Sequence, residues 1–505
     1  MPINLEKKFL TKIKHNFLLC GKKLFTPWNI LIFVILITAF LVRIYRLPEL
    51  LGFWYDQGRD ALVIWDLIHN GKLFLIGPMM GNTGIFRGPW YYYLITPAYY
   101  FSNGNPLYAN YFLIFISVLA LLILYLVAKN ISNKRVGLFA LLIASFSSYI
   151  IGASRWLSNP TPTMLTGVVF VFSMIKFLEK RWWSLPLASF VIGMGLNFGA
   201  ATELYLIPAL LLILFLNKKL IPSLKIITLS VFVFVFTFLP QILFEVRHKG
   251  VMIKAFYNFV FNEKTFTIDF IQTLTARFSK YYDLFASKFW VDGDLFFLPF
   301  LVLFVYLLFK NFKVLWKNKK FQILFITFLA PFVGTLFFVS NLGGFYDYYF
   351  TAYYLVFILM FAVVLDSLWQ SNWGRLVGIS FLIIFSIQNY NSFEYYKKPL
   401  NDPEIIAFKN QLDMVEWIKN DSDADFNVDV YVPPVIPHAY DYLFKWQNLD
   451  QFPEQTSLLY TVYEVDPPHP ERLEAWLDRQ EGIGMVVDDE RFGGIVVQKR
   501  YRIEK

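Results

Sequence analysis

LGFWYDQGRDALVIWDLIHNGKLF, residues 51–74, follows an apolar run and carries Asp56 and Asp60 with Arg59 beside them. Ala61, Ile64, Trp65 and Ile68 recur at i, i+3, i+4 and i+7, so a helix over this stretch has a single apolar stripe. The segment is too short and too polar to cross a bilayer, which takes about 20 apolar residues. It is expected to lie flat in the membrane interface, with Asp56 just before the helix and Asp60 one turn in. FRGPWYYYLITPAYY, residues 86–100, predicts a second such piece, with Pro89 near its start and tyrosines suited to the headgroup zone.

The surrounding chain explains why an interface helix belongs here. Of 505 residues, 57% are hydrophobic and 16% charged, against about half and a quarter in soluble domains. Mean hydropathy is +0.48. The excess sits in long blocks, which predicts a mainly α, polytopic membrane bundle. Eleven spans are expected, near 29–46, 107–128, 136–152, 162–179, 183–199, 201–216, 222–245, 294–310, 321–340, 347–366 and 375–389. The first 25 residues hold six lysines against one glutamate, and no small-residue cleavage pattern follows the first span. They read as a retained signal anchor with a cytoplasmic N-terminus. KNISNKR, EKRWW, NKKL and KNFKVLWKNKK all fall on that same side. The net charge of +9 therefore reports membrane orientation rather than affinity for nucleic acid. The single cysteine, Cys20, rules out an internal disulfide.

Three regions follow: a basic cytoplasmic segment 1–28, a membrane domain 29–390 with its first outer loop at 47–106, and a soluble extracytoplasmic unit 391–505. Acids and prolines become frequent in the tail. DPEIIAFKNQLDMVEWIKN sets Ile405, Phe408, Leu412 and Val415 on one helical face. FNVDVYV and GGIVVQKR read as strands, and HPERLEAWLDR as a helix with Pro470 in its first turn. The tail is thus a small α/β domain.

The ionisable residues of the membrane domain collect at one level. Asp56, Arg59, Asp60 and Arg87 lie in the first outer loop, and Arg155 ends the third span in GASRWLSNPTP. Glu203 lies in the turn NFGAATELYLIP, Glu245, Arg247 and His248 end the seventh span in LPQILFEVRHKG, and Asp347 begins the tenth in GGFYDYYFTAYYL. Ionisable groups near lipid are costly, and arginines on the outer side run against the positive-inside bias. The pattern predicts one polar cavity with carboxylates for proton or metal work and cations for a phosphate. Each residue also has a plainer role. Asp56 suits a helix N-cap, Arg59 and Asp60 a solvated face, and Arg247 and His248 headgroup anchors.

At these residues the chain resembles the GT-C superfamily of membrane glycosyltransferases, in the branch of protein O-mannosyltransferases and the lipid A aminoarabinose transferase. WYDQGRDA matches the acidic motif of the family's first outer loop, with Asp56 as its acid. RGPWYYYL resembles an HPPLYYWL-type segment, with Arg87 and Gly88 replacing the usual residues. ASRWLSNPTPT resembles the SR…PD stretch but lacks its acid, and LPQILFEVRHKG resembles LP…FDLRH. One departure stands out: many members carry Asp-Glu where this chain has Asp56-Gln57, so Asp60 or Glu203 would have to supply a second acid.

The resemblance implies transfer of a sugar from a polyprenyl-phosphate donor to a protein, lipid or glycan acceptor on the extracytoplasmic side of a plasma or inner membrane, with inversion. Asp56 would be the general base. Arg155, Arg247, His248 and Arg87 would stabilise the leaving phosphate. Gln57, Arg59, Asp60, Tyr91, Asn159, Glu203, Asp347 and Tyr348 would line the substrate pocket. A divalent metal is compatible with these acids, and no ligand set is assigned. The competing class is a multi-pass transporter or lipid flippase with an outer vestibule, although transporters usually place ionisable groups near the bilayer midplane.

Overall fold

A computed structural model describes residues 26–81, 84–199, 202–258, 270–290, 297–336, 345–422, 425–433, 436–449 and 451–503. Residues 1–25 of the basic N-terminal segment, Cys20 among them, lie outside these residues, and the first helix already begins at Pro27. Helix occupies every apolar window, with positions 201, 294–296 and 337–340 outside the described residues. Among the described residues five helices are long and apolar enough to cross a membrane: Pro27–Ile44, Pro106–Ile131, Leu298–Trp316, Asp347–Gln370 and Asn372–Lys397. Two more candidates are bent pairs, Lys134–Phe146 with Ser148–Arg155 at 62° and Leu224–Thr237 with Leu239–Arg247 at 58°. The first bends at Ser147, whose hydroxyl caps the second half, and the second bends beside Pro240. Thr163–Leu178, Ser184–Phe198 and Thr202–Leu216 are apolar but shorter, and Lys319–Thr335 completes the set.

The Asp347–Gln370 helix is the hub of the bundle, 89% buried over its apolar stretch. YLVFILMFAVVL has no polar side, as expected of a helix surrounded by protein. It packs against Pro106–Ile131, Lys134–Phe146, Thr163–Leu178, Leu298–Trp316 and Lys319–Thr335. Arg43, fully buried at the end of the first helix, donates to the carbonyls of Ala39, Ala144 and Ser145 at 2.9–3.0 Å and to Ser154 Oγ at 3.2 Å. It pins that helix to the first bent pair.

The tail folds as expected in type, with more sheet than its motifs revealed. Strands β1 (Phe426–Tyr431), β2 (Leu458–Glu464), β3 (Gly484–Phe492) and β4 (Ile495–Arg502) form one sheet in the order β1-β2-β4-β3. β1 and β2 are parallel, and the other pairs are antiparallel. Phe408–Asp421 and Pro470–Glu481 are helices, and so is His438–Trp446, which the sequence motifs did not mark. Ile405 is buried but precedes the Phe408 helix, and Leu412 is only half-buried. The inward face runs instead through Phe408, Gln411, Met414, Val415 and Ile418.

Tyr55–Asn70 is a helix, as its stripe predicts. Its apolar face meets protein rather than lipid. Ala61 and Ile64 are fully buried in a core shared with Phe408, Tyr442 and Leu443 of the tail. Gly58 makes this possible, because its α-carbon lies against the backbone of His438 and Ala439. Gln411 Nε2 donates to Phe53 O at 2.8 Å, Phe408 N to Leu51 O at 3.0 Å, and Trp446 Nε1 to Asn103 O at 2.8 Å. The second loop helix, Trp90–Phe101, follows Pro89 as its pattern implies.

Candidate active site

Five turns of the bundle are tied together at the end that carries the Tyr55 helix. Gln57 Nε2 donates to Leu157 O at 3.0 Å, and Asn159 donates to Phe198 O. Arg87 Nε donates to Gly199 O at 2.7 Å, Thr202 donates to Tyr349 O, and Tyr353 OH donates to Thr202 O at 2.9 Å. The first turn of the Tyr55 helix and the segments at Arg87, Leu157–Asn159, Phe198–Gly199, Thr202 and Tyr349–Tyr353 are therefore tied together, although they are distant in sequence.

Asp56 is not the N-cap. Trp54 occupies that position, and its N–H donates to Gln57 Oε1 at 3.1 Å, half of a capping box. Asp56 falls in the first turn, where the helix dipole favours an anion. Its carboxylate is about half exposed (52%) and accepts from Arg59 Nη1 at 2.7 Å. Arg59 also holds Asp60 Oδ1, at 2.9 Å from Nε and 2.7 Å from Nη2. One guanidinium thus bridges both acids. Asp60 is buried and accepts from Tyr92 OH at 3.2 Å. Burial pushes its carboxyl up to about 6, while Arg59 holds it down.

Arg87 approaches this pair from the bundle side. Its electrostatic neighbours are Tyr348, Glu203, Arg59 and Asp56. Burial pulls its guanidinium below its usual range, and Tyr348 and Glu203 oppose that shift. Glu203 is buried behind Gly199, where a side chain at 199 would collide with its carboxylate. The Tyr348 ring meets Trp156 edge-on at 5.5 Å. Tyr91 is buried within the electrostatic reach of Asp60, Arg59 and Asp56. Asp56, Arg59, Asp60, Arg87, Tyr91, Glu203 and Tyr348 therefore lie within electrostatic reach of one another at this end of the bundle.

Several expected members do not join them. Arg155 Nη1 donates to the carbonyls of Arg43 and Tyr45 at 2.9 and 2.7 Å, and its guanidinium lies 4.4 Å over the Tyr396 ring. Its Nη1 closes the end of the first helix, whose chain-end carbonyls need donors, while Nη2 is buried with no hydrogen-bond partner among the described residues. Gln57 and Asn159 are spent on backbone carbonyls and are buried. The Asp-Glu to Asp-Gln departure is thereby explained: residue 57 braces the loop instead of facing the site. Arg247 and His248 are exposed; His248 stacks on Phe244 at 4.0 Å with Nδ1 2.9 Å from Phe244 O. Glu245 accepts from the N–H groups of Met252 and Ile253 at 2.8 and 3.2 Å.

Asp347 leads to a group the sequence did not reveal. Its Oδ1 and Oδ2 each lie 2.9 Å from the ammonium of Lys288, and Oδ1 accepts from Tyr149 and Tyr354 at 2.5 Å. Lys288 is fully buried, 3.7 and 4.2 Å from the centres of the same two tyrosine rings. A lone lysine in LFASKFW has no periodic signal, and only its tertiary partners mark it out. The cluster holds the start of the Asp347 helix, and with it Tyr348. Among the described residues no group of three or more His, Cys, Asp or Glu side chains is placed to hold a metal ion.

A bundle whose first loop carries an acidic helix roofed by a small α/β unit has counterparts of similar fold among solved membrane-protein structures. A sequence profile of the dolichyl-phosphate-mannose-protein mannosyltransferases matches residues 87–244, from Arg87 through Glu203 to Phe244. The structure is similar to ArnT from Cupriavidus metallidurans bound to undecaprenyl phosphate, with TM-score 0.57 and 11% identity over 94% of this chain and 98% of that one. The apo state of the same protein gives TM-score 0.56, 12% identity, and coverage of 94% and 97%. The apo oligosaccharyltransferase of Archaeoglobus fulgidus gives 0.50 and 13%, covering 82% of this chain and 63% of that one. Comparison with curated proteins by sequence returns no match.

Proposed function

We propose that the protein transfers a sugar from a polyprenyl-phosphate donor to a hydroxyl-bearing acceptor on the extracytoplasmic side of a plasma or inner membrane. The N-terminus would be cytoplasmic and residues 391–505 outside. The observation that carries this reading is the convergence of Asp56, Arg59, Arg87, Glu203 and Tyr348 at one end of a GT-C fold. Neighbours of similar fold include one bound to undecaprenyl phosphate, which supports the donor class.

Asp56 is the exposed acid of the pair and can accept the acceptor's proton during attack, a role typically worth about 10²–10⁴-fold. Arg59 orients that carboxylate and neutralises Asp60 behind it. Arg87 replaces Arg155 as the cation for the leaving phosphate, which is already a weak base and needs charge stabilisation more than a proton. Attack from the face opposite the phosphate gives inversion. Membranes containing the wild-type protein and an Asp56→Asn variant, supplied with radiolabelled polyprenyl-phosphate sugars, test the assignment. Transfer by the wild type and its loss in Asp56→Asn at equal expression is expected. Equal transfer by both removes Asp56 as the base.

A further inference from the structure

Asp56 and Asp60 stand four residues apart on one helix, where two carboxylates repel each other. Arg59 relieves this by serving both, and it serves them unequally. Its Nη1 meets Asp56 Oδ1 at 2.7 Å, while Nε and Nη2 both meet Asp60 Oδ1, at 2.9 and 2.7 Å. The surroundings differ too: the Asp56 side chain is half exposed, and that of Asp60 is only 4% exposed. From the Trp90–Phe101 helix, Tyr92 OH donates to the same Asp60 Oδ1 at 3.2 Å, and Tyr91 and Tyr99 lie within its electrostatic reach. The charges of the tail helix His438–Trp446 turn elsewhere, Lys445 to Asp66 at 3.7 Å and His438 to Asp441 at 3.5 Å. Arg59, Asp56 and the tyrosines of the neighbouring helix therefore define the field at Asp60.

A carboxylate paired one-to-one with a guanidinium is stabilised as the anion and resists taking up a proton, which handicaps a general base. Sharing removes the handicap. Arg59 brings one positive charge against two negative ones, and two of its three N–H contacts go to Asp60. Loss of the Asp60 charge would weaken those two charge-assisted bonds and leave the whole guanidinium charge to Asp56. We infer that Asp60 is a positioning residue for the transfer: in its ionised form it anchors Arg59 from behind, so that Arg59 orients Asp56 without cancelling its charge. The inference rests on the glycosyltransferase reading of Asp56 and adds a pH dependence to it. Burial pushes the Asp60 carboxyl up to about 6 against the pull of Arg59, so the ionised form is present above that pH and lost below it.

Transfer from a radiolabelled polyprenyl-phosphate sugar by the full-length protein in detergent, followed as a function of pH, tests the assignment. Wild-type kcat is expected to rise through about pH 6. Asp60→Asn keeps an acceptor for Arg59 and removes only the charge. It should lower kcat about ten-fold and abolish that rise, with a donor KM no higher than that of the wild type, because losing a negative charge does not weaken the hold on an anionic lipid. Tyr92→Phe takes a hydrogen bond from the ionised carboxylate, so the rise should move to higher pH. That variant remains informative if the buried Asp60→Asn protein does not fold. Wild-type kcat or an unmoved rise in Asp60→Asn, or a rise at the wild-type pH in Tyr92→Phe, overturns the inference. Infrared titration of the same samples reads the carboxylic-acid C=O band without reference to transfer. A component that disappears through about pH 6 is expected in the wild type, missing from Asp60→Asn and moved upward in Tyr92→Phe; its absence from the wild type also overturns the inference. That component in a protein that transfers no sugar keeps the ionisation of Asp60 and sinks the transferase reading instead.

Discussion

Gly58→Ala is the sharpest probe of how the roof and the site depend on each other. A methyl group at position 58 would fall inside 3.0 Å of the Ala439 nitrogen and the His438 carbonyl, whereas ordinary van der Waals contact begins at 3.4 Å. The obstacle is backbone on both sides, so no rotamer change relieves it. Overpacking of this kind costs about 1–3 kcal/mol, and relief requires the two helices to separate by roughly 1 Å. Asp56 lies two residues away on the same helix. A displacement of about 1 Å at a reacting group can cost on the order of 100-fold in rate. The expected result is a lower melting temperature together with about a hundred-fold loss of sugar transfer. Gly71→Ala is the control. Gly71 ends the same helix at φ +62° with nothing within 4 Å of an added methyl, so the strain is local, about 1–2 kcal/mol. It should lose stability and keep transfer. If Gly58→Ala melts and turns over like the wild type, the tail is not seated on the loop helix as described.

The other expectations concern separate parts of the molecule. Arg87→Met should raise the KM for the lipid-phosphate donor and lower kcat, because Arg87 lies within the electrostatic reach of Asp56 and Glu203, while Arg155→Met should mainly lower the melting temperature, because it ties the end of the first helix. Asp347→Leu leaves the Lys288 ammonium buried without its carboxylate and should cost about 3–5 kcal/mol, whereas a Lys288→Met/Asp347→Leu double variant should recover much of that loss in thermal melts. Glu464 binds its proton more tightly in the folded state, up to about 7 against an ordinary carboxyl near 4, so stability is full at low pH and declines as pH rises through that window. The total is on the order of 3 kcal/mol, and hydrogen exchange at the β2 amides should follow it in the wild type and lose the slope in Glu464→Gln.

Apolar run length and helical periodicity are local properties, and they carried most of the architecture. Long runs without charge find few alternatives to membrane helices, so the helical windows, the Tyr55 helix and the α/β tail were legible in advance. The strands at 458–464 and 484–492 were not, because charged or mixed stretches such as GMVVDDERF take their conformation from the neighbours they pair with. The first-loop acid and the charges that gather around it followed from spacing and position. Their division of labour did not. In sequence Arg155 is the stronger phosphate candidate and Arg87 the weaker, yet Arg155 ties carbonyls at a helix end while Arg87 lies within the electrostatic reach of Glu203 and Asp56. The same holds for Lys288, for the role of Gln57 and for the protein surface that covers the Ala61–Ile64 stripe. Which partner satisfies a buried polar or charged group depends on contacts between residues 59 to 100 or more positions apart, and only the folded chain brings those together.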